Sequence, residues 1–117
     1  MNCQEFATLS EYGIDVKVIV LHNDTLGMIV QLQDFFYNHH YSQCTLNKRK
    51  NLPMLAESLG VKGYAIEKQD DLIPVLKEAF AHKGPALVDI RISPEERVYP
   101  TVPGGKALSD MILGGDA

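Results

Sequence analysis

The residues best suited to chemistry follow directly after an apolar run. The segment 22–25 reads His-Asn-Asp-Thr, and it separates the apolar segment 16–21 from a stretch with helical spacing that starts at Leu26. Asn23 carries a neutral amide oxygen, a ligand that hard cations such as Mg²⁺ accept. The free N–H groups and positive dipole end of the helix favour a phosphate group, and Gly27 lets a ligand approach the backbone closely. The pattern indicates a position where a cation and a diphosphate can bind together.

The same residues also suit a purely structural role. Asn, Asp and Thr are common in strand-to-helix turns, where their side chains cap the helix that follows. The pattern alone leaves both interpretations open. Adjacent His39 and His40 point in different directions and have no third ligand near them in sequence, so we interpret them as loop residues. Cys44 has no recognisable catalytic partner and is interpreted as an unreactive loop thiol.

Hydrophobic spacing predicts the elements that must position these residues. The predicted helices cover residues 4–12, 26–37, 52–59 and about 71–82, and the predicted strands cover 16–21, 63–66 and 86–92. A further short helix is predicted over 107–113. Such alternation is typical of a mostly parallel sheet with helices on its faces, which places the chain in the α/β class with three layers, α/β/α.

The same spacing predicts which side chains are buried. Segment 16–21 is expected to be buried on both faces, because only Lys17 interrupts its apolar run. Asp70 or Asp71 is expected to cap the helix that ends near residue 82. The core-facing positions of the two longest helices are predicted to be Ile29, Leu32, Phe35 and Phe36 in one, and Leu72, Val75, Leu76, Ala79 and Phe80 in the other.

Length and composition limit the classes of function. The chain has 117 residues, 45% of them hydrophobic and 22% charged, which suits one ordinary globular domain. Its net charge of -4 argues against binding to nucleic acid or membranes, and the basic cluster 48–50 is interpreted as a solvated loop. With no membrane-length apolar run, no visible signal peptide and no metal-like cysteine spacing, we expect a reducing, cytoplasmic location. Because helical sequence begins almost at Met1, we expect the chain to be part of a longer polypeptide.

Three segments resemble the acetolactate synthase branch of the thiamine diphosphate-dependent enzymes. HNDTLGMIVQLQDFFY, residues 22–37, resembles the end of that family's cofactor motif, which reads Asn-Asn, three variable residues, Gly-Met and then a helix with Gln, an aromatic residue and Gln. Residues 1–21 resemble the helix and strand before that motif. Residues 51–105 resemble the family's closing segment, including Val-Tyr-Pro-x-Val-Pro from Val98 to Pro103.

The resemblance implies roles for individual residues. The side chain of Asn23 and the backbone carbonyl of Thr25 match the positions that bind Mg²⁺. Leu26, Gly27 and Met28 match the turn that lies beside the diphosphate and the thiazolium ring of the cofactor. Residues 1–117 would be the C-terminal portion of the thiamine diphosphate-binding domain, and residues 95–117 would be a tail that closes over the active site as a lid.

The reaction implied is the condensation of two 2-keto acids, pyruvate to 2-acetolactate, in branched-chain amino acid biosynthesis. The resemblance implies thiamine diphosphate and Mg²⁺ as cofactors, FAD elsewhere in a longer chain, a homodimer or homotetramer, and a regulatory subunit. No catalytic residue is expected in this chain, because the glutamate that activates the cofactor belongs to another domain of a neighbouring subunit. The alternatives are another thiamine diphosphate-dependent decarboxylase or carboligase of 2-keto acids, and a non-catalytic α/β binding module.

The chain also departs from the family's pattern. The Gly-Asp-Gly that opens the cofactor motif, with its Mg²⁺-binding aspartate, is absent from these residues. His22 stands where the first Asn is expected. Leu32 stands where a tryptophan usually shapes the acceptor site, so it is the predicted substrate-pocket residue and puts the choice of keto acid in question.

Overall fold

The computed structural model describes residues 2–46 and 50–114. The chain forms two compact units, one from residues 1–23 with 48–92 and the other from residues 24–47 with 93–117. Most of the basic cluster, Lys48 and Arg49, lies outside the described residues. In the part that is described, no helix is both long and apolar enough to cross a bilayer.

The first unit is built on a parallel sheet. Its strands are β1 (Lys17–His22), β2 (Lys62–Ile66) and β3 (Ala86–Arg91), in the order β1-β3-β2. All three strands run the same way, and the first residues of β1 and β2 both align with Ala86. The carboxyl ends of the strands therefore share one edge of the sheet.

Helices cover both faces of this sheet. Leu87 and Val88 follow each other on β3, so their side chains point to opposite faces. Leu87 packs into a cluster that includes Ala56 of α3 (Leu52–Ser58) and residues of α1 (Glu5–Glu11). Val88 packs with Ala79 of α4 (Leu72–Ala81). The predicted α/β class with a parallel sheet and helices on its faces is confirmed.

The predicted burial of β1 on both faces is wrong, and the strand that is buried on both faces is β3. The first four residues of β3 are buried, whereas Leu21 of β1 is 65% exposed and Ile19 is exposed as well. The reason is the order of the strands. Helix α4 packs on β2 and β3, and β1 is an edge strand among the described residues. The apolar run predicted the strand correctly, but it did not predict its neighbours.

The helix ends differ in part from the predictions. Asn51 caps α3, because its side-chain oxygen accepts a hydrogen bond from Met54 N at 2.9 Å. Asp71 lies at the N-cap of α4, one of the two predicted positions, but it makes no side-chain capping bond, and Asp70 and Asp71 both lie in a 3₁₀ turn before the helix. The stripe of α4 is confirmed except for Phe80, which is 61% exposed.

Glycine is required where α3 meets β2. A Cβ added at Gly63 would lie 2.6 Å from the carbonyl oxygen of Pro53 and 2.8 Å from its Cα. Real Cβ atoms do not approach backbone atoms so closely, so only glycine lets this helix and strand pack at the observed distance.

The second unit contains helix α2 (Gly27–Phe36) and the tail. The inward face of α2 differs from the prediction. Val30 and Gln31 are its buried residues, while Ile29, Leu32 and Phe36 are exposed and only Phe35 is half-buried. In place of the predicted helix over 107–113, the tail forms a single 3₁₀ turn, Leu108–Asp110.

Candidate functional site

In the first unit, the polar residues at the end of strand β1 lie at the carboxyl edge of the sheet. Its last residue, His22, lies with Nδ1 3.0 Å and 3.2 Å from the two carboxylate oxygens of Asp89 on β3. Asp89 is only 3% exposed. The carbonyl of His22 also accepts a hydrogen bond from Ile92 N at 3.1 Å. The end of β1 is thus fixed by its side chain and its backbone, and half-buried Asn23 follows directly.

In the second unit, the turn before α2 is held by a short antiparallel bridge. Asp24 adopts a left-handed conformation with φ of 53°, which Asp tolerates better than most residues. Leu26 N–H donates to the carbonyl of Cys44, and Leu46 N–H donates to the carbonyl of Asp24, both at 2.8 Å. These bonds flank the pairing of Thr25 with Thr45. In such a pair, the N–H and C=O groups of Thr25 itself point to the side away from Thr45.

Helix α2 begins without a polar cap. Leu26 is its N-cap residue, and an apolar side chain cannot accept hydrogen bonds from the first amides of the helix. The N-cap position of α2 is thus not occupied by Asn23, Asp24 or Thr25, which lie in the turn before it. Gly27 is the first residue of α2, and its half-buried backbone carries no side chain.

Two predicted site residues lie in one cleft. Met28 and Leu32 both face a cleft of about 130 Å³ between α2 and the tail. Its other walls are formed by Gln31, Phe35 and Phe36 of α2 and by Thr101, Val102, Pro103 and Gly104 of the tail. This volume is below the roughly 300–1,000 Å³ of drug-sized ligand pockets, so the cleft suits a small molecule or one end of a larger one.

Gln31 is a residue whose importance the sequence did not reveal. It is 3% exposed, and its side chain makes two hydrogen bonds to the backbone of Val98 in the tail. Its Nε2 donates to the Val98 carbonyl at 3.0 Å, and its Oε1 accepts from Val98 N at 2.8 Å. The side-chain amide thus makes the pair of hydrogen bonds that a neighbouring strand would make, and it joins the tail to α2.

Asp34 was also missed. One of its carboxylate oxygens accepts a hydrogen bond from Tyr41 OH at 2.6 Å and lies 3.2 Å from Nδ1 of His39. The other accepts from Nε of Arg97 at 2.6 Å. The available signal was the spacing of Gln31 and Asp34, which lie three positions apart and therefore on one side of a mainly apolar helix.

These contacts change the acid–base properties of the cluster. Burial raises the pKa of Asp34, but the hydrogen bonds from Tyr41, Arg97 and His39 outweigh it, and the pKa lies below its ordinary value. The hydrogen bond to Asp34 raises the pKa of Tyr41 and that of Arg97. Asp34 is therefore a carboxylate at neutral pH, held by Tyr41, Arg97 and His39.

The remaining candidates carry no separate chemistry. Among the described residues, no group of three or more His, Cys, Asp or Glu side chains is arranged to hold a metal ion. His39 contacts Asp34 and Tyr41, and Nδ1 of His40 lies 3.0 Å from the carbonyl of Tyr37. Cys44 is buried, and its carbonyl belongs to the bridge that holds Leu26.

A second cleft, in the first unit, has a different charge. It measures about 270 Å³ at the carboxyl edge of the sheet, where ligands of α/β proteins commonly bind. Its lining includes the carboxylates of Glu67 and Asp89 and the amine of Lys50. Two carboxylates against one amine disfavour a diphosphate.

Comparison with known proteins gives consistent matches. The family described as "Thiamine pyrophosphate enzyme, C-terminal TPP binding domain" matches residues 1–90. The chain is 42% identical to the mitochondrial acetolactate synthase of Schizosaccharomyces pombe over 113 residues, which is 97% of this chain and 17% of that protein. It is 42% identical to the acetolactate synthase large subunit of Haemophilus influenzae over 114 residues, which is 97% of this chain and 20% of that protein.

A solved structure matches as well. It is a thiamine diphosphate-dependent 4-hydroxybenzoylformate decarboxylase of Rhodococcus jostii RHA1, with a TM-score of 0.68 and 25% sequence identity, covering 75% of this chain and 16% of that chain. The chain thus spans about a fifth of the length of the curated relatives it matches. The tail lies beyond the family match, but the alignments to these relatives extend over almost the whole chain.

Proposed function

Because this chain belongs to the thiamine pyrophosphate enzymes, as their C-terminal TPP-binding domain, we propose that it forms the Mg²⁺- and diphosphate-binding end of a longer, acetolactate synthase-like enzyme. That enzyme condenses two 2-keto acids, pyruvate to 2-acetolactate, in branched-chain amino acid biosynthesis. The observation that carries the proposal is the 42% identity to acetolactate synthases, which runs through both the turn at Asn23 and the tail. Thiamine pyrophosphate and thiamine diphosphate are the same compound.

The donor groups at the turn fit a magnesium ion. We assign the side-chain oxygen of Asn23 and the backbone carbonyl of Thr25 as its protein ligands in this chain. Both are neutral oxygens, the type that Mg²⁺ binds, and the geometry of the bridge directs the Thr25 carbonyl away from Thr45. Water, the diphosphate and residues outside this chain would supply the remaining ligands of the ion.

The first turn of α2 fits the diphosphate. Leu26, Gly27 and Met28 supply backbone at the positive end of the helix dipole, and the side chain of the N-cap residue Leu26 makes no capping bond there. The missing side chain at Gly27 lets phosphate oxygens approach closely.

The bound cofactor stabilises a carbanion, and this chain positions and shields the reacting groups around it. Met28 would contact the cofactor from one wall of the cleft, and Leu32 lies one helical turn further along the same wall. The tail residues opposite them, Thr101–Gly104 in sequence, restrict access of water, as the proposed lid requires. No side chain of this chain is assigned the proton transfers.

Leu32 favours one alternative over the others. It is smaller than the tryptophan of the acetolactate synthase pattern, and a solved structure similar to this chain is, by its name, a decarboxylase of 4-hydroxybenzoylformate. A decarboxylase or carboligase acting on a larger 2-keto acid is therefore the second candidate. A homodimer or homotetramer, a regulatory subunit, FAD in the longer chain and a cytoplasmic location belong to the first proposal.

The test uses the full-length protein that carries this chain. With thiamine diphosphate and Mg²⁺, it should form acetolactate from pyruvate, and Asn23→Ala should weaken Mg²⁺-dependent cofactor binding in calorimetry by at least tenfold. Asn2→Ala, which changes an exposed asparagine, is the matched control. Turnover of another 2-keto acid without acetolactate would favour the second candidate. Cofactor binding without turnover of any keto acid would contradict both.

A further inference from the structure

We propose that Asp34 is a positioning residue that sets the size of the substrate cleft, acting through Arg97 on the tail and Tyr41 on the loop after α2. The inference rests on the proposed function, because it takes the occupant of the cleft to be a 2-keto acid. Asp34 itself does not line the cleft. Its effect is exerted through the wall that the tail contributes.

The two carboxylate oxygens serve different segments of the second unit. One accepts from Arg97 and the other from Tyr41, each at 2.6 Å. The side chains of Asp34 and Arg97 are only 14% and 18% exposed, so water screens their attraction weakly. An amide could not replace this carboxylate, because its NH₂ group would face one of the two donors.

The position of the tail is then fixed over two consecutive residues. Arg97 is bound by Asp34, and the next residue, Val98, is bound on both backbone groups by Gln31. Asp34 and Gln31 lie three positions apart on α2, so they present their polar groups on one side of the helix. The wall of the cleft begins at Thr101, three residues further along the tail.

The far end of this wall has its own attachment. Thr101 exchanges two backbone hydrogen bonds with Ile112, at 2.9 and 2.8 Å. That attachment joins the tail to itself and leaves the distance to α2 unset. The contacts of Asp34 and Gln31 are those that set the distance of the wall from Leu32. Weakening the contact between Asp34 and Arg97 should widen the cleft, although neither residue lines it. Gln31 differs, because it both holds the tail and lines the cleft.

The expected consequence is a change in selectivity. A small keto acid such as pyruvate depends on contact with both walls, so its KM should rise about tenfold when Arg97 is lost, with a much smaller change in kcat. A longer keto acid such as 2-ketobutyrate fills the wider cleft, so its KM should rise less. The ratio of kcat/KM for the two acids should therefore shift towards the longer acid.

The experiment compares Arg97→Gln with Lys106→Gln in the full-length protein. Lys106 is an exposed lysine on the same tail, so it controls for the loss of one positive charge. Tyr41→Phe, which removes only a hydroxyl, is the second variant, and Arg97→Lys should partly restore the wild-type selectivity. Hydrogen exchange of the tail peptide in the full-length protein should be about tenfold faster in Arg97→Gln than in Lys106→Gln.

The outcomes separate the two proposals. An inactive wild type would overturn the proposed function, and with it the assignment of the cleft. An active wild type whose selectivity is the same in Arg97→Gln, Tyr41→Phe and Lys106→Gln would overturn this inference alone. Faster exchange of the tail with unchanged selectivity would also overturn it, since Asp34 would then hold the tail without setting the cleft.

Discussion

Substituting His22 and Asp89, singly and together, should reveal a strong coupling at the end of β1. The two side chains are 11% and 4% exposed, and His22 Nδ1 lies 3.0 Å from the nearer oxygen of Asp89. A hydrogen bond to a charged group contributes about 1.5–3 kcal/mol to stability. The free energy of unfolding should therefore show a coupling of about 2 kcal/mol between the two sites.

The single variants should differ in a predictable order. His22→Ala leaves the Asp89 carboxylate buried without the imidazole, so it should cost about 3 kcal/mol. Asp89→Asn keeps one oxygen that can accept from His22 and should cost about 1 kcal/mol less than Asp89→Ala. The double variant His22→Ala/Asp89→Ala loses the same interaction that each single variant loses. Its decrease in the free energy of unfolding should therefore be smaller than the sum of the two single decreases by the coupling energy.

Urea unfolding followed by far-ultraviolet circular dichroism measures these differences. The slope of free energy against urea should be equal in the four proteins of the cycle, because the area exposed on unfolding hardly changes. A coupling below about 0.5 kcal/mol, the usual deviation from additivity at independent sites, would refute the reasoning. It would mean that the carboxylate is satisfied equally well without His22.

Three further predictions concern single residues. The pKa of Asp34 is lowered in the folded chain. Its contribution to stability should therefore be complete above the unfolded pKa of about 3.9 and lost as the pH falls through the lower folded pKa. An acid titration of the tail amides, followed by NMR, measures this loss. Gly63→Ala should cost about 1–3 kcal/mol in urea unfolding, since its Cβ would strike Pro53, while Gly104→Ala meets nothing within 4 Å and should be nearly neutral. Gln31→Leu removes two hydrogen bonds, about 2 kcal/mol, so exchange of the tail should accelerate about thirtyfold, and an unchanged rate would contradict this.

The local parts of the fold were predictable from the sequence. Apolar runs located all three strands to within a residue, and helical spacing located the four helices. These signals are local because each residue's backbone conformation depends mainly on its own type and its neighbours'. Burial depends instead on what packs against an element. Ile19 and Phe80 are apolar but exposed, because no other element of the described chain covers them. The order of the strands and the placement of the helices decide this, and the residue types at these two positions do not reveal either.

In the candidate site, too, the local features were predictable from the sequence and the long-range contacts were not. The turn from Asn23 to Met28 was found because its residue types lie next to each other in the chain. Asp34 was missed because its partner Arg97 is 63 positions away. A single sequence offers no means of pairing such distant residues, and the charge of either one alone is equally consistent with a solvated surface.

Buried polar residues nevertheless carry a readable signal. Among the described residues, Gln31 and Asp89 are the polar side chains that are buried, and each is bonded to a residue 67 positions away in sequence. A buried polar group without a partner costs too much to persist, so its presence on the inward side of an element requires a partner from another segment. The periodicity of α2 placed Gln31 next to buried Val30. Because Gln31 lies on the buried side of α2, its amide required a partner from another segment, and Val98 of the tail supplies it. The docking of the tail on α2 follows from that requirement, and so does the cleft that contains Met28 and Leu32.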